Sequence, residues 1–141
     1  MKLLVIATTA IISTICLVVP VKAENPAHVK QLLETKQCQK CDLKGADLSG
    51  VHLIGADLRD ANLEQANLAN ANLEGADLTG ANLKQATLLN AFASDASFKE
   101  VNLTGVNFRN TKLYNADMDG AVVAGADFRG AKLYGADLSR Y

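Results

Sequence analysis

Apolar residues recur at every fifth position from Leu43 to Leu138. Calling that position i, fourteen of its twenty residues are Leu, and the others are Ala93, Phe98, Phe108, Met118, Val123 and Phe128. Two places earlier, position i−2 holds Ala in fifteen units, with Cys41, Val51, Val101, Val106 and Thr111 as the exceptions. No insertion or deletion breaks the phase. A period of five fits neither a helix nor an alternating strand. So short a unit cannot bury its own Leu, and successive units must stack around a shared interior as a solenoid. One large and one small inward residue per unit suit a narrow coil. The remaining positions are of Asp, Asn, Thr or Lys type at i−1, nearly anything at i+1, and mostly Gly, Asn, Gln or Asp at i+2. Gly and Asn tolerate left-handed backbone, and Asp or Asn side chains satisfy turn amides, so each unit ends in a bend.

The units Ala56-Asp57-Leu58-Arg59-Asp60, Ala71-Asn72-Leu73-Glu74-Gly75 and Ala136-Asp137-Leu138-Ser139-Arg140 match the A(D/N)LxX consensus. The chain thereby resembles the pentapeptide-repeat family. The resemblance implies an all-β solenoid, a right-handed quadrilateral β-helix with four pentapeptides per coil. Twenty units then make about five coils, roughly 24 Å long at the ~4.8 Å strand spacing. Of activity it says little, because most members lack a known biochemical role. Exported cyanobacterial members sit in the periplasm or the thylakoid lumen, and the lead-in from Lys30 to Cys38 looks like theirs.

Ahead of the repeat, Met1-Lys2 precede an apolar run from Leu3 to Val19, followed by Pro20 and Val21-Lys22-Ala23. This reads as a secretory signal, residues 1–23, cleaved after Ala23. An uncleaved anchor is the alternative, but seventeen residues interrupted by Thr8, Thr9, Ser13 and Thr14 are short for a span that needs about 20. No membrane contact is expected after cleavage. Residues 24–37 form a short capping α-helix in this reading, and 38–141 the β-helix. Asn25 is the N-cap and Pro26 the first helical residue. Val29, Leu32 and Leu33 make an apolar stripe that runs to about Lys36. A lid over the first coil is the favoured role, against a membrane or partner helix. Without Lys2 and Lys22 the chain keeps twelve basic and fifteen acidic residues, a formal charge of −3. That is too mild to call for a nucleic-acid partner.

Cys38 falls at position i and Cys41 at the next i−2, so both point inward at one corner. In an exported chain this favours a structural disulfide bracing the first coil over free buried thiols. A zinc site lacks ligands beyond His28 and His52, and a thioredoxin-like motif lacks its βαβ setting.

Residues twenty apart stack, which turns the sequence into four faces. A tyrosine face carries His52, Asn72, Phe92, Lys112 and Lys132 at i−1, with Ile54, Glu74, Ser94, Tyr114 and Tyr134 at i+1. An aspartate face carries Asp57, Asp77, Ser97, Asp117 and Asp137, beside Arg59, Thr79, Lys99, Asp119 and Ser139. An arginine face has Ser49, Ala69, Leu89, Arg109 and Arg129 at i+1, and the fourth, around Asn62, Asn82 and Asn102, is polar. The Asp ladder suggests a metal-binding or DNA-mimicking stripe, yet Asp at i−1 belongs to the repeat and serves the backbone in the favoured reading. Lys112, Tyr114, Lys132 and Tyr134 form the candidate interaction surface, although such ladders also stabilise sheets. At Ala91-Phe92-Ala93 the Phe stands at the outward place beside a small centre. The expectation is a local shift that carries the Phe92 ring into the core. The last coil presents Phe128, Leu133, Leu138 and Tyr141, which a second copy would cover to give a homodimer.

No catalytic constellation or cofactor motif is present: no Ser lies near a His and an acid, and the glycines fall at turn positions. The expected function is a non-catalytic protein-interaction rod in an extracytoplasmic compartment, binding an unidentified protein. The alternatives are a nucleic-acid-mimicking topoisomerase-binding protein, as in the family's best-known members, and a redox-responsive element using Cys38 and Cys41.

Overall fold

The backbone amides of one unit dictate the architecture, because four of every five find backbone partners in a fixed pattern. The computed structural model describes residues 25–137. The proposed signal segment, residues 1–23, lies outside them, as do Leu138 and Tyr141 of the expected dimer end. The i−2 amide closes a turn by donating to the carbonyl of the preceding i residue, as Ala46 does to Leu43 (3.0 Å) and Ala136 to Leu133 (2.9 Å). The other three backbone bonds run between coils. Leu43 donates to Asn62 O, Gly45 to Glu64 O and Asn62 to Cys41 O, each at 2.8 Å. Parallel bridges join residues twenty apart, from Gln37 with Asp57 to Lys112 with Lys132. Four bent units therefore complete one coil of a parallel β-helix.

The bend is the same throughout. Every i+2 residue from Lys40 to Gly135 has positive φ, between 53° and 76°, while no i+1 residue does. That combination, with the closing hydrogen bond, is a type II turn. Only half of these sites are Gly. Asn and Asp take the left-handed conformation with little strain, whereas Lys40, Gln65, Gln85 and Glu100 hold it because the ladders on both sides leave no other path.

The i and i−2 side chains fill the interior. Leu43 through Leu88 at position i are completely buried, as are Ala93, Phe98 and Phe108. Thr111, at an Ala place, hides its hydroxyl by donating to Leu88 O at 2.7 Å. Phe92 does not enter this core, contrary to the sequence expectation. Its bridges to Asn72 and Lys112 keep the common register, and its side chain stays outside, 42% exposed. In the same coil the rings of Phe98 and Phe108 meet edge to face at 5.9 Å. Each Phe exceeds Leu by only part of the volume that Ala lacks, and the bridges of Phe92 show that the backbone keeps its register beside Ala93.

The helix α1 (Pro26–Thr35) precedes the first coil. Asn25 caps it by accepting from the Ala27 amide at 3.1 Å, and Lys36 ends it in the left-handed region, donating to Leu32 O. Leu32 is wholly buried and Val29 partly so, but Leu33 points away, 42% exposed. The stripe is therefore narrower than the sequence suggested: Leu32 alone of the three joins the core fully. The Asp42 amide donates to His28 Nδ1 at 2.9 Å, and Gln31 Nε2 donates to Gln37 O at 2.7 Å. Under this lid Cys38 and Cys41 are buried with their sulfurs 2.05 Å apart. At the other end Val123, Phe128 and Leu133 are only partly buried.

Leu32→Ala is expected to lower stability by about 3 kcal/mol through loss of burial and a residual cavity. The Cys38–Cys41 link closes so short a loop that its loss, in Cys38→Ala with Cys41→Ala, should cost about 2 kcal/mol or less. Urea unfolding of the two variants checks the order.

Candidate functional site

The one amide per unit without a backbone partner, that of i+1, explains the chemistry of the outer faces. The i−1 side chain, two residues earlier, accepts from it. Asp57 does so for Arg59 (3.2 Å), Asp77 for Thr79 (3.0 Å) and Asp117 for Asp119 (3.1 Å). The fourth face and the arginine face keep the rule at every i−1 position from Asp42 to Asn102 and from Asp47 to Asp127, except that Thr87 uses its hydroxyl. The Asp ladder is thus engaged in holding the turns, as a buried or half-buried backbone donor requires.

Three faces also neutralise their charges internally. Arg59 lies between Asp57 (2.6 Å) and Asp77 (3.8 Å), and Lys99 meets Asp117 at 3.0 Å on the aspartate face. Lys44 meets Glu64 at 3.0 Å on the fourth face, and Arg129 grips Asp127 on the arginine face.

The tyrosine face departs from both habits. Among the described residues Asn72 alone makes the turn bond there, accepting from the Glu74 amide at 3.0 Å. Phe92, Lys112 and Lys132 have no acceptor atom to offer. Lys112 and Lys132 are paired directly across the ladder, and among the described residues neither has a carboxylate within ion-pair reach. Lys112 Nζ instead stands 4.4 Å from the centre of the Phe92 ring, a cation–π contact. Of the five large apolar or aromatic side chains that the described solenoid exposes, Ile54, Phe92, Tyr114 and Tyr134 lie on this face and only Val122 lies elsewhere. Tyr134 is 84% exposed.

The structure therefore brings Lys112, Tyr114, Lys132 and Tyr134 together on adjacent coils. Sequence reasoning left Phe92 out of this group, although its stacking under Lys112 is readable from the twenty-residue spacing. His28, weighed only as a zinc ligand, instead accepts from the Asp42 amide, and nothing local could reveal that, since its partner is fourteen residues away. Phe128 stacks on Phe108 with centroids 4.9 Å apart and belongs to the core as much as to an end surface.

The acidic groups respond to their partners. The Arg129 guanidinium, hydrogen-bonded to Asp127, holds that carboxyl down at about 2. Arg59 lowers Asp57 in the same way, and Ser49 lowers Asp47. Asp117 is lowered first by the Asp119 amide and then by Lys99, and Glu64 by Lys44. A carboxyl lowered on folding stabilises the fold fully above its unfolded value and less as pH falls through its folded value. The melting temperature should hold steady from neutral pH to about 4 and decline between there and about 2. Asp127→Asn keeps the turn acceptor while removing the charge, and should flatten part of that decline in thermal melts.

A family model described as pentapeptide repeats matches eight copies over residues 41–80, 76–113 and 107–140. Among solved structures, a pentapeptide repeat protein from the Arabidopsis thaliana thylakoid lumen is similar, with a TM-score of 0.64 and 33% identity over 67% of this chain and 66% of that one. A pentapeptide repeat protein from Nostoc has a TM-score of 0.63 and 27% identity, over 77% of this chain and 94% of its own. Comparison with curated proteins gave no match.

Proposed function

The chain belongs to the pentapeptide repeat family, a right-handed β-helix solenoid, and from that premise we propose that it is a non-catalytic interaction rod of an extracytoplasmic compartment. Its about five coils hold a partner protein on the face of Lys112, Tyr114, Lys132 and Tyr134. The observation that carries this reading is the exchange made on that face. Positions that elsewhere hold the turns have given up that hydrogen bond for cations and an aromatic ring, and the exposed aromatics gather beside them. Aromatic side chains next to cations are the usual material of binding surfaces.

Non-catalytic character agrees with a family that is generally a structural repeat fold. Export rests on the leader-like residues 1–23 and on the lumenal source of one relative. Periplasm and thylakoid lumen both fit. Among the described residues no helix is long and apolar enough to cross a membrane. In an oxidising compartment the Cys38–Cys41 link would stay formed as a brace, and its burial beneath α1 favours that role over redox response. Engagement of the Asp ladder in turns and ion pairs disfavours the nucleic-acid mimic.

The test is a crosslinking pull-down with the full chain expressed in its source organism, against a variant with Ala at Lys112, Tyr114, Lys132 and Tyr134. A partner captured by the parent and lost from the variant supports the reading. Capture that ignores all four changes overturns it. A second reading, dimerisation through the coil end, is favoured by the partial burial of Phe128 and Leu133. Light scattering that gives a monomer at all concentrations removes it.

A further inference from the structure

The pairing of Lys112 with Lys132 is a local conflict. Two like charges directly opposite on adjacent strands destabilise a sheet. Where the aspartate face sets Asp57 against Asp77, Arg59 lies between them. Among the described residues no charged group pairs with Lys112 or Lys132, and the ammonium of Lys112 is drawn onto the Phe92 ring. The i+1 residues stacked in this part of the face are Ser94, Tyr114 and Tyr134, and the acid at i+2, Asp95, accepts from Asn115 Nδ2 at 3.1 Å rather than pairing with either lysine. The acid at an i+1 place on this face, Glu74, stacks with Ile54 and Ser94, away from both lysines. Both habits of the other faces lapse together here, at Phe92, Lys112 and Lys132, which is where a functional demand is expected to show.

We propose that Phe92, Lys112, Tyr114, Lys132 and Tyr134 bind an acidic segment of a partner polypeptide. Carboxylates of that segment sit between the two ammonium groups, and its apolar or aromatic side chains lie against Phe92 and the tyrosines. This rests on the interaction-rod reading and adds the chemistry of the partner. Charge complementarity commits the face to an acidic occupant. A polypeptide fits better than a nucleic acid, since the chain's net charge is −1 and the aspartate face would repel a long polyanion. The fold itself gains nothing from the lysine pair. Lys132→Glu would place opposite charges across the ladder and make a better sheet.

That asymmetry gives the test. Fluorescence anisotropy of a labelled Glu/Tyr copolymer is measured with the full chain, Lys132→Glu and Lys112→Glu, with polylysine and a single-stranded oligonucleotide as comparison probes. Binding of the copolymer should weaken by about tenfold or more in either variant, and comparably when salt rises from about 0.05 to about 0.5 M. Lys132→Glu should melt at a higher temperature than the parent, which separates lost binding from lost folding. The proposal is overturned by a copolymer affinity that Lys132→Glu leaves unchanged, by equal binding of polylysine, or by tighter binding of the oligonucleotide. Failure of the interaction-rod reading is seen separately, in a pull-down where no partner depends on the face. A partner lost on changing the tyrosines but indifferent to salt and to both Glu variants overturns the acidic assignment alone.

Discussion

Phe98→Ala is expected to cost about 5 kcal/mol, near the top of the range for truncating a buried aromatic residue. Phe98 is completely buried, and the preceding corner of its coil, Ala93, is already small. The two vacancies would adjoin, and the turns on either side are fixed by inter-coil bonds, so collapse cannot close them. The edge-to-face contact with Phe108 would be lost as well, worth about 1 kcal/mol beyond its area. A loss of this size is comparable with the whole stability of a small domain. Phe98→Leu leaves a much smaller gap, and should stay within about 1.5 kcal/mol of the parent. Urea titrations of the three proteins measure both numbers. A Phe98→Ala variant as stable as the parent would show that Ala93 and Phe98 do not share one space.

Deleting Asn90 alone should prevent everything after it from folding, while deleting the whole unit Ala86–Asn90 should not. Loss of one residue moves each later side chain by one place. Lys99, Arg109, Asp119 and Arg129 would then occupy the central positions now held by Phe98, Phe108, Met118 and Phe128. Each would be an unpaired charge in an apolar interior, at several kcal/mol apiece. Loss of five residues leaves every later residue in its role and only rotates the C-terminal part onto the next face of the N-terminal part. Stability should fall by about one repeat's share. Phe92, Lys112 and Lys132 would still stack on one another, so the binding face should survive. Hydrogen exchange distinguishes the cases: protection lost beyond residue 90 in the first, kept through the solenoid in the second.

These outcomes follow from a pattern that is plain in the sequence. Leu or another apolar residue at every fifth place and a small residue two before it define the interior without ambiguity, because a narrow coil takes one large and one small side chain per unit. The twenty-residue stacking then puts Lys112 beneath Lys132 and Tyr114 beneath Tyr134 before any coordinates are seen. Phe92 was misplaced because its surroundings were judged one unit at a time. The two larger rings in the same coil, Phe98 and Phe108, offset part of the volume missing at Ala93, a compensation that local reasoning does not weigh. Leu33 was counted inward from helical spacing alone, and only the seating of α1 on the first coil decides that Leu32 is the anchor. The His28 contact with the Asp42 amide arises from the same seating and has no sequence signature. What the faces do could be narrowed only once hydrogen bonds showed which i−1 residues serve the fold and which do not.

The most direct test places a photo-crosslinking amino acid, one site at a time, at Tyr134 and Tyr114 and at Thr79, Leu89 and Thr104 on the other three faces. The full chain carrying each is irradiated in its source organism. The expected result is a shared partner adduct from the two tyrosine positions and none from the other three. Adducts of equal yield on every face, or none at Tyr114 and Tyr134, would contradict the claim that this rod works through a single face.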